Sequence, residues 1–162
     1  MLVLDVQLPG KNGLDITKTL KQELPQLAIL MLSSYPEEQY AVRALRAGAS
    51  GYLNKATAAE TLVEAVRAVA GGRKYITSAT AQALSDTVSA PVKSETPHET
   101  LSDREFQVLR LIAGGKRLAE IAAELALSPK TVSVYRSRIL EKMGFRTNAE
   151  LIQYALKRGL LE

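Results

Sequence analysis

The order of apolar and amphipathic segments constrains the fold of this chain more than any other feature of its sequence. In the first 75 residues, short apolar runs alternate with helical patterns in the order 2–6, 13–23, 28–32, 36–47, 51–53 and 58–70. Such alternation predicts parallel strands joined by crossover helices, an α/β layer architecture. The polar segment Ser89–Thr100 contains two prolines and predicts a flexible linker, preceded by a linking helix near 78–88.

Beyond this linker, the sequence predicts helices only. Ser102 with Glu105 and Thr147 with Glu150 form capping boxes, as Thr57 and Glu60 do in the first half. Four helices are expected, starting near residues 103, 118, 129 and 148, and a tight turn joins the middle pair, which makes it a helix-turn-helix candidate. We therefore expect domains at 1–74 and 101–162, joined by a linker helix and flexible linker at 75–100.

The inventory of side chains excludes several classes of function. The chain has no cysteine and a single histidine, His98, so thiolate zinc sites, disulfide frameworks and serine triads are not expected, and we predict no enzyme. No apolar run approaches the ~18 residues that span a bilayer, which predicts a cytoplasmic protein without a membrane partner.

The positive charge lies in one region. Residues 1–100 carry ten Lys/Arg and ten Asp/Glu, whereas residues 101–162 carry eleven and seven, so the second half holds the whole excess of +4. A basic face on a small helical unit favours nucleic-acid binding, with a merely solvated helix face as the alternative.

A helical wheel of residues 129–143 separates an apolar stripe from a polar face. Val132, Ile139 and Met143 form the stripe, and the other side is suited to the DNA major groove. We expect phosphate contacts from the cations and base contacts from the small side chains, with Val134 against a thymine methyl group. The predicted DNA-binding residues are Lys130, Thr131, Ser133, Val134, Tyr135, Arg136, Ser137 and Arg138.

Four sequence segments of this half, 101–112, 120–122, 127–132 and 140–144, resemble the LuxR-type helix-turn-helix family. The resemblance implies an all-α four-helix domain that binds double-stranded DNA through the helix at 129–143. It also implies a homodimer on DNA through the last helix, with Ala149, Leu151, Gln153 and Tyr154 as contact residues. Relatives often have basic residues where this chain has Ser133 and Ser137, and Tyr135 replaces a common histidine, so its hydroxyl is expected to reach a phosphate.

In the first half, three predicted strands end in polar residues that carry chemistry. Asp5, Ser33 and Lys55 follow successive strands, and the carboxyl ends of parallel strands meet at one crevice. A carboxylate there could accept a phosphoryl group covalently while a hydroxyl and an ammonium bind its oxygens.

The order of these residues, with Leu8-Pro-Gly10, Asn12-Gly13 and the segment 47–53, resembles the receiver domain of two-component response regulators. With the second half, the chain resembles NarL/FixJ-type response regulators. This implies a doubly wound, flavodoxin-like α/β fold, with Asp5 as phosphoacceptor and Ser33, Tyr52 and Lys55 as the phosphate switch. It also implies a sensor histidine kinase or a small phosphodonor as partner, and Mg²⁺ bound by Asp5 and the carbonyl of Gln7.

One departure from the receiver pattern is large. A receiver orders its strands 2-1-3-4-5, and this chain starts at the third, lacking the first two strands, the first helix and the acidic pair that holds Mg²⁺. We therefore expect a fragment or a misplaced start codon, an exposed apolar edge at 2–6, and Mg²⁺ in the intact receiver but a poor site here.

Two other functions remain open. The chain could be a DNA-binding or heterodimerising interaction module that does not depend on phosphorylation. An autoinducer-binding member of the wider LuxR group is a third possibility, against which the Asp5, Ser33 and Lys55 constellation speaks.

Overall fold

The computed structural model describes residues 1–89 and 97–161. They belong to two compact units, Met1–Pro91 and Val92–Glu162. Within the described ranges, no helix is both long and apolar enough to cross a membrane.

The first unit is a three-stranded parallel sheet with four helices, as the alternating pattern predicts. The strands are β1 (Leu2–Leu4), β2 (Ile29–Ser33) and β3 (Gly51–Asn54), in the order β1-β2-β3. The register pairs Leu4 with Met31 and Met31 with Tyr52. The helices are α1 (Gly13–Glu23), α2 (Glu37–Arg46), α3 (Ala58–Ala70) and α4 (Ser78–Ser89). The parallel order confirms the expected receiver topology for the strands that the chain contains.

The position of each strand explains its burial. β2 is central, and Ile29, Leu30 and Met31 on both of its faces are fully buried. β1 is at the edge, where Val3 is 45 % exposed although Val6, just beyond the strand, is fully buried. The expected exposed apolar edge is therefore confirmed for Val3 only, since Leu2 and Leu4 are half-buried and Val6 belongs to the core.

The second unit consists of four helices preceded by a short 3-10 helix. The α-helices are α5 (Asp103–Ala113), α6 (Leu118–Glu124), α7 (Pro129–Met143) and α8 (Asn148–Lys157). Helix α5 packs against each of the other three, and its side chains are almost all buried. Phe106, Ile121, Ile139 and Leu151 form part of the apolar core.

The capping predictions are confirmed twice and wrong once. Ser102 and Thr147 accept hydrogen bonds from the backbone N–H groups of Glu105 and Glu150. Thr57 makes no such bond, because its backbone is helical (φ −105°, ψ −5°) rather than extended. Its hydroxyl donates instead to the carbonyl of Asn54.

Helix α4 lies where the sequence predicts a linking helix, and one end of the predicted flexible linker is also helical. Helix α4 packs on α2, where Glu37 accepts hydrogen bonds from the hydroxyls of Thr77 and Thr80. Pro97–Thr100 forms the 3-10 helix, so this end of the predicted flexible linker is structured. The remainder of the predicted linker, 90–96, lies outside the described residues. The domain bounds at 74 and 101 stay predictions.

Candidate functional site

The carboxyl end of the sheet brings Asp5 and Lys55 together, as expected from parallel strands. The Lys55 ammonium lies 2.5 Å from Oδ2 of Asp5, and the backbone N–H of Gln7 donates to Oδ1 at 2.9 Å. Ser33 is beside them through its backbone, whose carbonyl accepts from the N–H of Lys55 at 2.8 Å. Both oxygens of the Asp5 carboxylate are thus held in place, and one of them by a cation.

The loop between β1 and α1 fixes the position of Asp5. Asn12 caps α1 by accepting a hydrogen bond from the N–H of Leu14, and the N–H of Gly13 donates to the carbonyl of Val6. A Cβ atom at Gly13 would lie 1.9 Å from the carbonyl oxygen of Asp5. The close return of the chain over Asp5 therefore requires glycine at this position.

The Ser33 hydroxyl faces inward in this structure. Ser33 is fully buried, and its Oγ accepts from the N–H of Tyr35 at 3.3 Å. The carbonyl of Tyr35 accepts from the Tyr52 hydroxyl at 2.7 Å and from the Asn54 amide at 3.2 Å. Tyr52 is buried as well. Both predicted switch residues are therefore linked by hydrogen bonds to the backbone of Tyr35.

Asn54 extends this link to the Lys55 loop. Its side-chain oxygen accepts from the N–H of Ala56 at 2.8 Å, while its amide nitrogen donates to Tyr35. The ring of Tyr35 stacks on Tyr40, with centroids 4.6 Å apart. Sequence reasoning missed Tyr35 and Asn54, since neither the strand pattern nor the spacing of polar residues marks them.

The same crevice is the position at which a receiver domain would hold a magnesium ion. Receiver domains typically bind Mg²⁺ at the phosphorylation site, and this ion requires about six oxygen ligands in octahedral geometry. Among the described residues, no group of three or more acidic, histidine or cysteine side chains is placed to hold a metal. One carboxylate, already paired with Lys55, and the Gln7 carbonyl do not fit the ion by themselves.

In the second unit, the predicted division of α7 into two faces agrees with the burial of its side chains. Val132, Ile139 and Met143 are buried. Val134 is 44 % exposed, and the other exposed residues of the predicted face are Lys130, Ser133, Ser137 and Arg138. The helix starts at Pro129 after the Ser128 cap, so this face begins at the first turn of α7.

The remaining predicted DNA-binding residues are half-buried, and two of them, Thr131 and Arg136, have hydrogen-bond partners within the unit. Nε of Arg136 donates to Oδ1 of Asn148 at 2.6 Å, which ties α7 to the start of α8. The hydroxyl of Thr131 lies 2.8 Å from that of Ser128. Tyr135 is also half-buried, and Ser137 donates its hydroxyl proton to the carbonyl of Ser133. These contacts leave the exposed cations as the most accessible groups of the face.

The predicted dimer contacts in α8 lie on different sides of the helix, some buried and some exposed. Leu151 lies one helical turn before Ala155, on the side of α8 that faces the core, and both residues are fully buried. Leu151 is therefore not accessible to a partner. Ala149 and Gln153 are exposed, and Leu156, which sequence reasoning missed, is 62 % exposed on the same side.

Tyr154 is packed among aromatic neighbours. Its hydroxyl lies 2.7 Å from Nδ1 of His98 in the 3-10 helix, and its ring contacts Phe145 and the Arg158 guanidinium. Burial raises the pKa of Tyr154 above its usual value, although the contact with His98 and the charge of Arg158 act to lower it. This predicted dimer residue is therefore half-buried by the segment that precedes α5.

Comparison with known proteins agrees with both halves. Residues 99–155 match the family model of the bacterial regulatory proteins of the luxR family, and residues 1–67 match the response regulator receiver domain. The response regulator UvrY of Escherichia coli K12 is 36 % identical over 160 residues, covering 99 % of this chain and 73 % of UvrY. The response regulator GacA of Pseudomonas aeruginosa is 34 % identical over 162 residues, covering 100 % of this chain and 76 % of GacA.

Among solved structures, the RcsB response regulator of Salmonella typhimurium is 27 % identical, with a TM-score of 0.47, covering 96 % of this chain and 76 % of that chain. The two family models and the two relatives establish the classification. The chain belongs to the two-component response regulators of the NarL/FixJ family, in which a receiver domain is joined to a LuxR-type DNA-binding domain.

Proposed function

We propose that this response regulator binds double-stranded DNA by placing the exposed face of α7 in the major groove. The observation that carries the proposal is the burial pattern of α7, whose apolar stripe is fully used by the core while Lys130, Ser137 and Arg138 face solvent. A helix with one polar, cationic face free of the core has the shape and charge for this groove.

The exposed side chains divide by chemistry into two roles. Lys130 and Arg138 contact phosphates, because their charge is accessible and long side chains reach the backbone of DNA. Val134, Ser133 and Ser137 face the bases. The hydroxyl proton of Ser137 is already donated to the Ser133 carbonyl, which leaves its oxygen as an acceptor and makes base discrimination by this residue weak.

The salt dependence of DNA affinity tests the phosphate contacts. Each phosphate contact contributes about 0.9 to the slope of log affinity against log salt concentration. We expect Lys130→Ala to lower the affinity for a duplex and to reduce the slope by about 0.9. Lys74→Ala removes a cation that is also exposed, from the first unit, and serves as the matched control. An unchanged slope in Lys130→Ala would contradict the assignment.

We further propose that Asp5 accepts a phosphoryl group from a sensor histidine kinase or a small phosphodonor. One carboxylate oxygen attacks phosphorus and forms an acyl phosphate, while the bond to the donor's imidazole or acetate breaks and the donor leaves with the electron pair. The Lys55 ammonium, already 2.5 Å from Asp5, then balances the added negative charge.

Ser33 and Tyr52 convert that event into a change of conformation. If the Ser33 hydroxyl turns to a phosphoryl oxygen, the N–H of Tyr35 loses its acceptor, and the loop that carries the Tyr52 contact is released. The phosphoryl group on Asp5 then interacts more favourably with one of the two conformations than with the other, as a population shift requires.

Intact-mass measurement after incubation with acetyl phosphate, with and without Mg²⁺, tests the acceptor. The expected result is a gain of one phosphoryl group that is absent in Asp5→Asn. If no adduct forms in either buffer, the alternative is favoured, in which the chain binds DNA or pairs with a related regulator independently of phosphorylation. The crevice alone does not fit Mg²⁺, which gives this alternative a specific structural basis.

The exposed side of α8 supports a homodimer on DNA. Ala149, Gln153 and Leu156 are exposed on one side of a helix whose opposite side, with Leu151 and Ala155, is in the core. A second copy that contacts Leu156 would bury its apolar side chain. Leu156→Glu is expected to abolish dimers on DNA in gel-shift titrations, whereas Lys157→Gln, which changes the net charge by the same amount at the neighbouring position of α8, should leave them intact and is the charge control. We also propose a cytoplasmic location for the protein, since its DNA partner lies there.

A further inference from the structure

A nearly buried carboxylate connects helix α5 to the far end of α7. Glu105 is only 4 % exposed, and its Oε2 accepts from Nζ of Lys142 at 2.7 Å and from the backbone N–H of Ser102 at 2.8 Å. Burial acts to raise the pKa of Glu105, but the bonds from Lys142 and Ser102 outweigh it, so the pKa lies below its usual value. The carboxylate is therefore ionised and paired with Lys142.

The adjacent residue of α5 contacts the turn that joins the two helices of the helix-turn-helix pair. Arg104 is buried, and its guanidinium donates to Oε1 of Gln107 at 2.7 Å and to the carbonyl of Leu125 at 3.2 Å. Leu125 ends α6 and starts the turn that leads to α7. Neighbouring side chains of α5 thus contact the chain just before α7 and in its last turn.

Lys142 contributes to the basic charge of the second unit, but its position differs from that of Lys130. The two residues are twelve positions apart on one helix, about 18 Å along its axis at 1.5 Å per residue. Lys142 is itself 42 % exposed, so a phosphate could approach it, but drawing its ammonium away would leave the nearly buried Glu105 without its cation. Removing one partner of a buried ion pair is far more costly than the gain from one exposed phosphate contact.

We propose that Lys142 is not a phosphate contact, and that Glu105 and Lys142 are a positioning pair that sets the orientation of α7 on DNA. This rests on the proposed function, since it presupposes that α7 enters the groove. The pair determines how well the exposed face of α7 fits a particular site, and it contributes nothing to the number of counterions released.

The two roles differ in a quantity that a loss of structure alone would not change. A phosphate contact reduces the salt slope when removed, whereas a positioning pair reduces affinity at constant slope. The probe is a duplex selected from a random-sequence library by the unaltered full chain. We expect Lys142→Gln and Glu105→Gln each to weaken binding about tenfold, as for loss of one charge-assisted hydrogen bond, with the slope unchanged.

Three further variants complete the test. The double variant E105Q/K142Q should bind DNA no more weakly than the single variant that has the lower affinity. Lys142→Arg should keep the affinity of the unaltered chain, because it keeps the charge pair. Lys130→Gln is the matched phosphate-contact control, with a slope lower by about 0.9. Glutamine at 105 can still serve in the capping box, so E105Q keeps α5 intact and carries the test even if K142Q unfolds.

Three outcomes would contradict the positioning role of Glu105 and Lys142. They are a slope in K142Q reduced as much as in K130Q, tighter binding by E105Q through a released Lys142, or unchanged affinity in both single variants. If the unaltered chain selects no duplex and its DNA binding does not depend on salt, the proposed function itself fails. The two failures are therefore distinguishable.

Discussion

Two glycines of the loop that carries Asp5 lack a side chain for different reasons, and alanine at each gives a quantitative test. A Cβ at Gly13 would meet three backbone atoms, the carbonyl oxygen of Asp5 at 1.9 Å, its carbonyl carbon at 2.8 Å and the Cα of Val6 at 2.9 Å. A Cβ at Gly10 would meet nothing within 4 Å, but Gly10 has a left-handed φ of +72°. Gly13→Ala is therefore a steric perturbation, and Gly10→Ala a conformational one.

The expected magnitudes follow from these contacts. Non-bonded carbon atoms pack at about 3.5–4 Å, so the backbone at Asp5 must move by more than an ångström to accept the methyl group that Gly13→Ala adds. That movement also breaks the bond from the N–H of residue 13 to the Val6 carbonyl. Overpacking of this kind costs about 3 kcal/mol or more, against about 1 kcal/mol for alanine in the left-handed region.

Hydrogen exchange followed by mass spectrometry measures both variants in the full chain. Peptides from β1 and α1 should lose protection by about fivefold in Gly10→Ala and about a hundredfold or more in Gly13→Ala. Peptides from α6 and α7 in the other unit provide the internal control. Equal losses in the two variants, or full protection in Gly13→Ala, would refute the claim that this close approach holds Asp5 in place.

Three further predictions concern the second unit. Ala126 has a left-handed φ of +51°, so Ala126→Gly should raise the melting temperature by a few degrees and Ala126→Val should lower it, as measured by circular dichroism. Ile139 is fully buried on the apolar stripe of α7, so Ile139→Ala should cost about 2–5 kcal/mol in urea denaturation, and a smaller loss would contradict that packing. The pKa of Glu105 is lowered by folding, so its contribution to stability is complete above the ordinary glutamate pKa of about 4.3 and is lost as the pH falls through the folded value. Melting curves between neutral and acidic pH should show this loss, and E105Q should show a weaker pH dependence.

Local signals account for the parts of the fold that could be predicted from sequence. Helices α1 and α3 have the predicted bounds, because apolar periodicity and glycines near their ends act within the segment itself. The Thr57 box failed for a reason outside the motif. Asn54 already caps the N–H of Ala56, and the N–H of Thr57 bonds back to Asn54, so the chain turns before the helix and Thr57 cannot adopt the extended backbone of a cap.

Residues of the candidate sites were predictable where the periodicity of an element fixes their direction. Asp5 and Lys55 meet because parallel strands end at one edge, and the exposed face of α7 follows from its wheel. Tyr35 could not be found this way, since its role depends on the course of the loop after β2. For α8, helical spacing separates the buried Leu151 from the exposed Leu156, a distinction that family resemblance alone does not supply.

Net charge shows most clearly why composition identifies a binding unit but not its contacts. The excess of +4 correctly singles out residues 101–162, yet several of its cations are paired with carboxylates of the same unit. Lys116 pairs with Glu124, and Lys142 with the nearly buried Glu105. An exposed pair can separate when a phosphate approaches, because water solvates the released carboxylate, whereas a buried pair cannot. The cations that count for DNA are therefore those whose partner is water or an exposed carboxylate, and the salt slope of this protein should be smaller than its number of lysines and arginines suggests.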